Sequence, residues 1–339
     1  MRPPSALRKL LLPLVPAYRL GLALREVGRR MGLEPVRRLR WPVVSIGSLS
    51  AGGAGKTPLT IALAKALTRR GLRVDVLSRG YGRRGQQPAR VRLDGSAEEF
   101  GDEPPLIARE TGAPVYVAAQ RFKAGLLAEA DGSADLRLGL HLLDDGFQHR
   151  QLHRDVNILL LEGRDGRDSL LPAGNLREPL SAARRATVIA IPARDDAPEL
   201  AAALRAWGFE GPVWRLRRKM EVPAVDGAVA AFCGIARPVQ FFAGLEAAGL
   251  EIAARIAFPD HYRYTSRDVD RLVAAARQAG AAAFVTTEKD QVRLGKLSAE
   301  FFEALPLKTA GLRVEIEDED ATVEWLARRL ELTLADPPL

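Results

Sequence analysis

Cysteine is nearly absent from this chain: Cys233 is the single example among 339 residues, and histidine occurs four times. One thiol excludes an internal disulfide and a cysteine-rich metal site, and so few imidazoles leave little material for a zinc centre. A reducing, cytoplasmic setting fits this usage. Residues 1–40 hold no apolar run able to span a bilayer, since the longest, Leu10 to Ala17, contains Pro13 and Pro16. Aromatic residues make up 6% of the chain and do not interleave with the basic N-terminal residues, so nucleic acid is not the expected partner. No internal repeat or low-complexity tract is present. With 47% apolar residues, the chain can bury a full core of one large or two ordinary domains.

The net charge of +8 is unevenly placed. Residues 1–40 carry ten Lys/Arg against two Glu, which accounts for the whole excess and leaves the remaining chain neutral. Leu7, Leu10, Leu11 and Leu14 share one helical face, and so do Leu20, Leu24, Val27 and Met31, with Arg25 and Arg29 opposite. Two short amphipathic helices with a proline break would lie in the interface of an anionic membrane. The same leucines could instead pack on the protein's own core, with the arginines as a solvated rim. Arg8-Lys9 before an apolar run has the outline of a secretory signal, but basic residues continue to Arg40 and a strand follows directly.

That strand, Val43-Val44-Ser45-Ile46, leads into Ser50-Ala51-Gly52-Gly53-Ala54-Gly55-Lys56-Thr57 and then a helical pattern through Leu59, Ile61, Leu63 and Leu67. Strand, glycine-rich turn, Gly-Lys-Thr and helix make a phosphate-binding loop. Glycines let successive N–H groups curl around phosphate oxygens, and the helix N-terminus adds its dipole. Lys56 would reach the terminal phosphates of a nucleotide and the Thr57 hydroxyl would sit on Mg²⁺. Ser50 stands where the general pattern has its first glycine.

Residues 42–215 read as strand–helix units, hence a parallel sheet covered by helices. Strands are expected at 43–46, 73–78, 114–118, 137–143, 156–161, 187–191 and 212–216, and helices at 56–70, 102–110, 121–130 and 197–206. Functional residues belong beyond the carboxyl ends of such strands. Arg79-Gly80-Tyr81-Gly82-Arg83 follows one, Arg121 another, and Asp144-Asp145-Gly146-Phe147-Gln148-His149 a third. Two aspartates at a buried strand end are costly unless a cation or donors neutralise them, which makes Asp144 and Asp145 the Mg²⁺-side pair. From about 216 the pattern restarts, with a polar connection from Lys219 to Gly227, strands at 229–233, 251–257 and 282–286, and helices at 238–248, 267–279 (capped by Ser266) and 320–333. The expected organisation is a basic amphipathic segment at 1–40, a phosphate-loop α/β domain at 41–217 and a smaller α/β domain at 218–339, with 334–339 a loose tail.

Taken in order, Ser50 to Pro58, Arg79-Gly80-Tyr81-Gly82, Gly101-Asp102-Glu103-Pro104, Asp144 to His149, Leu176-Arg177-Glu178-Pro179, Phe232-Cys233-Gly234-Ile235, Phe258-Pro259-Asp260-His261 and Thr287-Glu288-Lys289-Asp290 resemble the tetraacyldisaccharide 4′-kinases of lipid A biosynthesis. The resemblance spans roughly residues 5–300. In that family a hydroxyl residue at the position of Ser50 is common. It implies a kinase on the cytoplasmic face of a Gram-negative inner membrane, with two α/β domains around a cleft and an N-terminal helix touching the bilayer. It would move the ATP γ-phosphate to the 4′-hydroxyl of a tetraacylated glucosamine disaccharide 1-phosphate, giving lipid IV-A. By the same resemblance Asp102, paired with His261, accepts the sugar hydroxyl proton. Arg79, Arg83, Arg121, His149 and Arg177 are candidates for the transferred phosphate and the substrate 1-phosphate, and Glu103 and Glu178 are candidates to assist Mg²⁺ or substrate. The competing reading is a membrane-recruited ATPase switch with no acceptor. A GTPase is disfavoured because Leu143 stands where a switch aspartate is required and Thr287-Glu288-Lys289-Asp290 has the wrong spacing for base reading.

Overall fold

The computed structural model describes residues 8, 10–132, 139–193, 198–206, 208–302 and 304–334. Leu7 of the first leucine face, residues 137–138 and 197 of an expected strand and helix, and 335–339 of the expected tail lie outside them.

A 3-10 turn, Leu12–Leu14, enters α1 (Val15–Arg30). Then come β1 (Val43–Ser48), α2 (Lys56–Arg69), β2 (Arg73–Ser78), β3 (Ala89–Arg90), α3 (Ala97–Phe100), α4 (Glu103–Thr111), β4 (Val115–Val117), α5 (Arg121–Asp131), β5 (Gly139–Asp144), β6 (Val156–Leu160), β7 (Val188–Pro192), α6 (Pro198–Ala206) and β8 (Val213–Glu221). The chain continues through β9 (Val229–Cys233), α7 (Pro238–Ala247), β10 (Ile252–Ala257), α8 (Ser266–Gln278), β11 (Ala283–Thr287), α9 (Glu288–Leu294), α10 (Ser298–Phe302), β12 (Leu307–Ile316) and α11 (Glu319–Leu330).

Among the described residues, all twelve strands form one sheet in the order β10-β9-β11-β12-β8-β7-β6-β1-β5-β2-β4-β3. Neighbours are parallel except at β3–β4 and β12–β8. The second exception sets the molecule's geometry. β12 is ten residues long: its first half pairs with β11 as far as Thr287↔Ala310, and its second half starts at Gly311↔Glu221 on β8. The carboxyl ends of β8 and β11 therefore meet at the middle of β12. Two parallel blocks turn their carboxyl edges, where α/β proteins carry their ligands, toward one another.

β1 is buried along its whole length, as a central parallel strand must be. Its core neighbours include Leu63, Val76 and Leu142, joined by Val292, Val314, Ile316, Val323 and Leu326. The last elements thus return to pack on the first half, and Arg69 of α2 and the Arg70 that follows it pair with Glu319 and Asp320 of α11. A second core gathers Phe232, Phe284 and Phe301 between the sheet and α8.

Several elements differ from the sequence expectation for local reasons. Pro16 sits in the first turn of α1, where its missing N–H costs nothing, so the second expected helix begins at Val15; the first falls partly on residues outside those described. Thr265, not Ser266, caps α8, because Thr265 and Asp268 form a reciprocal capping box. The Lys219–Glu221 stretch extends β8 rather than starting a loop, because Gly311–Arg313 pairs with it. On α1, Leu20, Leu24, Val27 and Met31 are 61%, 63%, 51% and 71% exposed. Val15 and Tyr18 face inward, and the Tyr18 hydroxyl donates to the Arg177 carbonyl at 2.8 Å.

Candidate active site

The loop between β1 and α2 carries the positive φ angles that glycine supplies: 83° at Gly52, 64° at Gly53 and 86° at Gly55. Among the described residues, the N–H groups of Gly52, Gly53, Ala54 and Gly55 meet no acceptor. Gly55, the N-cap of α2, brings no capping side chain. Such a row of free donors at a helix N-terminus suits an anion. Ser50 and Ala51 are pinned to Leu176 and to the Asn175 carbonyl, which ties the loop's entry to the segment that carries Arg177. Lys56 Nζ lies 3.5 Å from Ser48 Oγ and 3.6 Å from Asp145 Oδ1.

β5 pairs with β1, so its end delivers Asp144 and Asp145 beside this loop. Asp144 is buried: Oδ1 accepts from the Thr60 hydroxyl at 3.0 Å, and Oδ2 has no partner. Burial first, then the charges of Glu103 and Asp145, push its carboxyl up to about 7. Asp145, in the left-handed region at φ 47°, accepts from Arg177 at 3.1 and 3.2 Å. Burial would raise its pKa, but Lys56 and Arg177 outweigh that and hold it below the usual carboxylate value. Thr57 is buried at the start of α2, and Glu103 pairs with Lys289. Among the described residues no three His, Cys, Asp or Glu side chains form a metal cage. An orphaned carboxylate oxygen beside two further acids nevertheless fits a divalent cation that takes one or two protein ligands and completes its shell with phosphate and water.

Asp102 precedes α4 and is 5% exposed; His261 follows β10 in the other parallel block. They meet at 3.1 Å between Asp102 Oδ2 and His261 Nδ1. Arg293 of α9 also donates to Oδ2, through Nε at 2.8 Å and through Nη2, and is itself held by Asp290 at 2.8 Å. All these donors use Oδ2; Oδ1 receives none among the described residues. Burial opposes ionisation of Asp102, but His261, Arg293 and Lys289 prevail and keep it a carboxylate far below its ordinary range. His261 is raised, chiefly by the Asp102 hydrogen bond against the opposing effect of burial. Its backbone is left-handed at φ 58°, and its ring lies 5.0 Å from that of Tyr81. Arg293 escaped the sequence reading, though it falls three residues after Asp290 on the same short helix.

The arginines separate into groups. Arg121 is buried, with Nη1 on the Ala119 carbonyl at 2.9 Å and Nε without a partner. Burial, then the charge of Arg79, lowers its pKa to about 10. His149 lies in the same field, lowered to about 4 by burial and then by Arg121, Arg154, Arg79 and Arg25. Arg79 and Arg121 thus form one cationic group next to Asp144 and Asp145, with His149 held neutral beside them. Arg177 joins it through Asp145 and Gln148. Arg83 turns away to the Gln87 carbonyl at 2.7 Å.

Free loop amides, a lysine, paired strand-end aspartates and an aspartate–histidine couple, gathered at the carboxyl edges of the two blocks, suit an α/β phosphotransferase. The family model of tetraacyldisaccharide-1-P 4′-kinase (LpxK) matches residues 7–331. The chain belongs to this family. The tetraacyldisaccharide 4′-kinases of Koribacter versatilis and Anaeromyxobacter dehalogenans are each 40% identical over 94% of this chain, covering 98% and 87% of those proteins. The structure of LpxK from Aquifex aeolicus in complex with ATP matches with a TM-score of 0.72 at 33% identity, covering 96% of this chain and 99% of that one.

Proposed function

We propose that this chain transfers the ATP γ-phosphoryl group to the 4′-hydroxyl of a tetraacylated glucosamine disaccharide 1-phosphate, giving lipid IV-A. Family membership supports the activity and the substrate class. The observation that carries the mechanism is the Asp102–His261 contact across the cleft, one residue from Glu103, whose charge reaches Asp144.

In this reading the loop from Ser50 to Thr57 is a phosphate-binding loop, with Ala51, Gly52, Gly53, Ala54 and Gly55 offering N–H groups and Lys56 its ammonium. Thr57 and Asp144 would hold Mg²⁺ directly, with Asp145 and Glu103 reaching it through water, and the ion would neutralise charge on the ATP phosphates. Asp102 takes the hydroxyl proton at Oδ1 as the sugar oxygen bonds to phosphorus and the bond to ADP breaks. His261 orients Asp102 and shares that proton, and Arg293 fixes the carboxylate plane. Arg79, Arg121, His149 and Arg177 receive the transferred phosphate and the substrate 1-phosphate; Arg83 reaches either only by leaving Gln87. The two parallel blocks act as units whose closure assembles the pair and excludes water.

Among the described residues no helix is long and apolar enough to cross a membrane. The exposed leucines of α1 and the basic residues of 1–40 instead lie on an anionic bilayer, at the cytoplasmic face of the inner membrane, where the acylated substrate resides. The test is ATP turnover with and without acylated disaccharide 1-phosphate in mixed micelles. Substrate-dependent ADP release with a phosphorylated lipid product is expected; hydrolysis indifferent to the lipid would favour the nucleotide switch.

A further inference from the structure

Glu162, just beyond β6, is an almost buried carboxylate gripped by three arginines: Arg237 at 3.0 Å, Arg218 at 2.9 Å and Arg164 at 2.5 Å. Two of these also reach the glycine loop from behind. Arg237 Nη2 donates to the Gly52 carbonyl at 3.2 Å, and Arg218 Nη2 donates to the Ala54 carbonyl at 2.7 Å. The loop is shaped to admit them. A Cβ on Gly53 would stand 2.6 Å from Arg237 Nε, and one on Gly55 would stand 3.2 Å from Arg218 Nη2.

A trans peptide is planar, so a carbonyl oxygen and the following N–H point in opposite directions. A guanidinium that holds the Gly52 carbonyl turns the Gly53 N–H to the other side of the loop, and one that holds the Ala54 carbonyl does the same for Gly55. These are two of the amides with no acceptor. A cation on a peptide oxygen also polarises that peptide and strengthens its N–H as a donor. Three guanidinium groups on one carboxylate leave positive charge behind the loop, which favours a polyanion in front of it.

We propose that Arg218 and Arg237, tethered by Glu162, are positioning residues for the nucleotide phosphates: they brace the loop's peptide planes without touching the ligand. The proposal rests on the phosphate-loop reading of residues 50–57. It also links the two blocks at the nucleotide loop, because Arg218 lies on β8 of the first block and Arg237 caps α7 of the second.

The experiment measures steady-state kinetics at varied ATP with saturating lipid acceptor, together with calorimetric binding of the non-hydrolysable analogue AMP-PNP and Mg²⁺. Arg218→Ala and Arg237→Ala should each raise the KM for ATP and the analogue Kd about tenfold, an effect that falls on KM rather than kcat. The KM for lipid should not move. Lysine at either position keeps a cationic donor and should recover part of the loss, and Glu162→Gln should act in the same direction. The double alanine variant should lose less than the product of the single losses, since the two arginines share one tether. If alanine at position 218 prevents folding, Arg218→Lys and Arg237→Ala carry the test. Unchanged nucleotide KM and Kd, or a loss confined to kcat or to melting temperature, would overturn the brace. Lys56→Ala separates the two readings: if it abolishes analogue binding while the arginine variants bind normally, only the brace fails; if Lys56→Ala binds normally, the phosphate-loop reading itself fails.

Discussion

Asp102 and Asp144 are both buried carboxylates, yet their surroundings drive them in opposite directions. Asp102 has Arg293, Lys289 and His261 for neighbours and remains ionised. Replacing it with alanine should lower kcat by roughly 10²–10⁴ while AMP-PNP still binds, because the lost group acts on the acceptor. An unchanged kcat in the micelle assay would remove Asp102 from the mechanism. The raised pKa of His261 extends its protonated form above the usual imidazole range near 6.5. An aspartate that shares the incoming proton with His261 needs that imidazole neutral, so kcat should rise with pH through an inflection above 6.5. The acid limb should disappear in His261→Ala, and its persistence there would assign it to another group. Asp144 is pushed from 3.8 up to about 7 by burial, Glu103 and Asp145. Without metal and nucleotide, the folded protein therefore keeps a proton that the unfolded chain loses between these limits. Stability falls as pH rises through that window, by about 4 kcal/mol at most. Asp144→Asn should then melt higher than the parent at pH 8 in chelator and should lose activity. A lower melting temperature under those conditions would mean that the parent carboxylate is already neutralised by the protein.

At the scale of elements, α1 is the one whose apolar face finds no cover among the described residues. Leu20 and Leu24 are more than half exposed, so replacing both with glutamate costs the fold little. The change puts two like charges on a surface proposed to meet anionic lipid. Co-sedimentation with phosphatidylglycerol vesicles should weaken about tenfold or more, and the KM for lipid should rise while that for ATP stays put. Undiminished sedimentation would move the contact elsewhere. The helix and most strands were legible in the sequence, because continuous apolar runs such as 43–46 and 156–161 can be little else in a parallel sheet. β12 was not. It reads Leu307-Lys308-Thr309-Ala310-Gly311-Leu312-Arg313, half polar and broken by a glycine, and its identity as a strand comes from partners on both sides. The loop and the strand-end aspartates announced themselves through local patterns, whereas Asp102 and His261, 159 residues apart, were joined only by family resemblance. Arg293, Arg218 and Arg237 carried no signal: each is one basic residue among fifty, and only the fold shows which carboxylate or carbonyl it serves.

The unnoticed strand decides how the whole molecule behaves. β12 completes the second parallel block with its first half and zips to β8 with its second. Val314 and Ile316 then enter the same core as Ile46 and Val76 of the first block, and α11 brings Val323 and Leu326 to it. Arg237, His261 and Arg293 add polar ties between the two blocks. A block that shares its sheet and its core with its neighbour cannot melt without exposing the neighbour's interior, so the two should unfold together. Calorimetry should show one transition. ATP–Mg²⁺ at a hundredfold excess over its Kd adds about 2.7 kcal/mol to the folded state and should shift that entire transition upward by roughly a few degrees. Val314→Ala, which thins the shared core, should lower it as a unit by about 1–3 kcal/mol without splitting it. Two resolved transitions, with only one responding to nucleotide, would mean that β12 joins the blocks weakly enough for each to stand alone. The brace behind the loop would then be a contact made on closure rather than a fixed part of the fold.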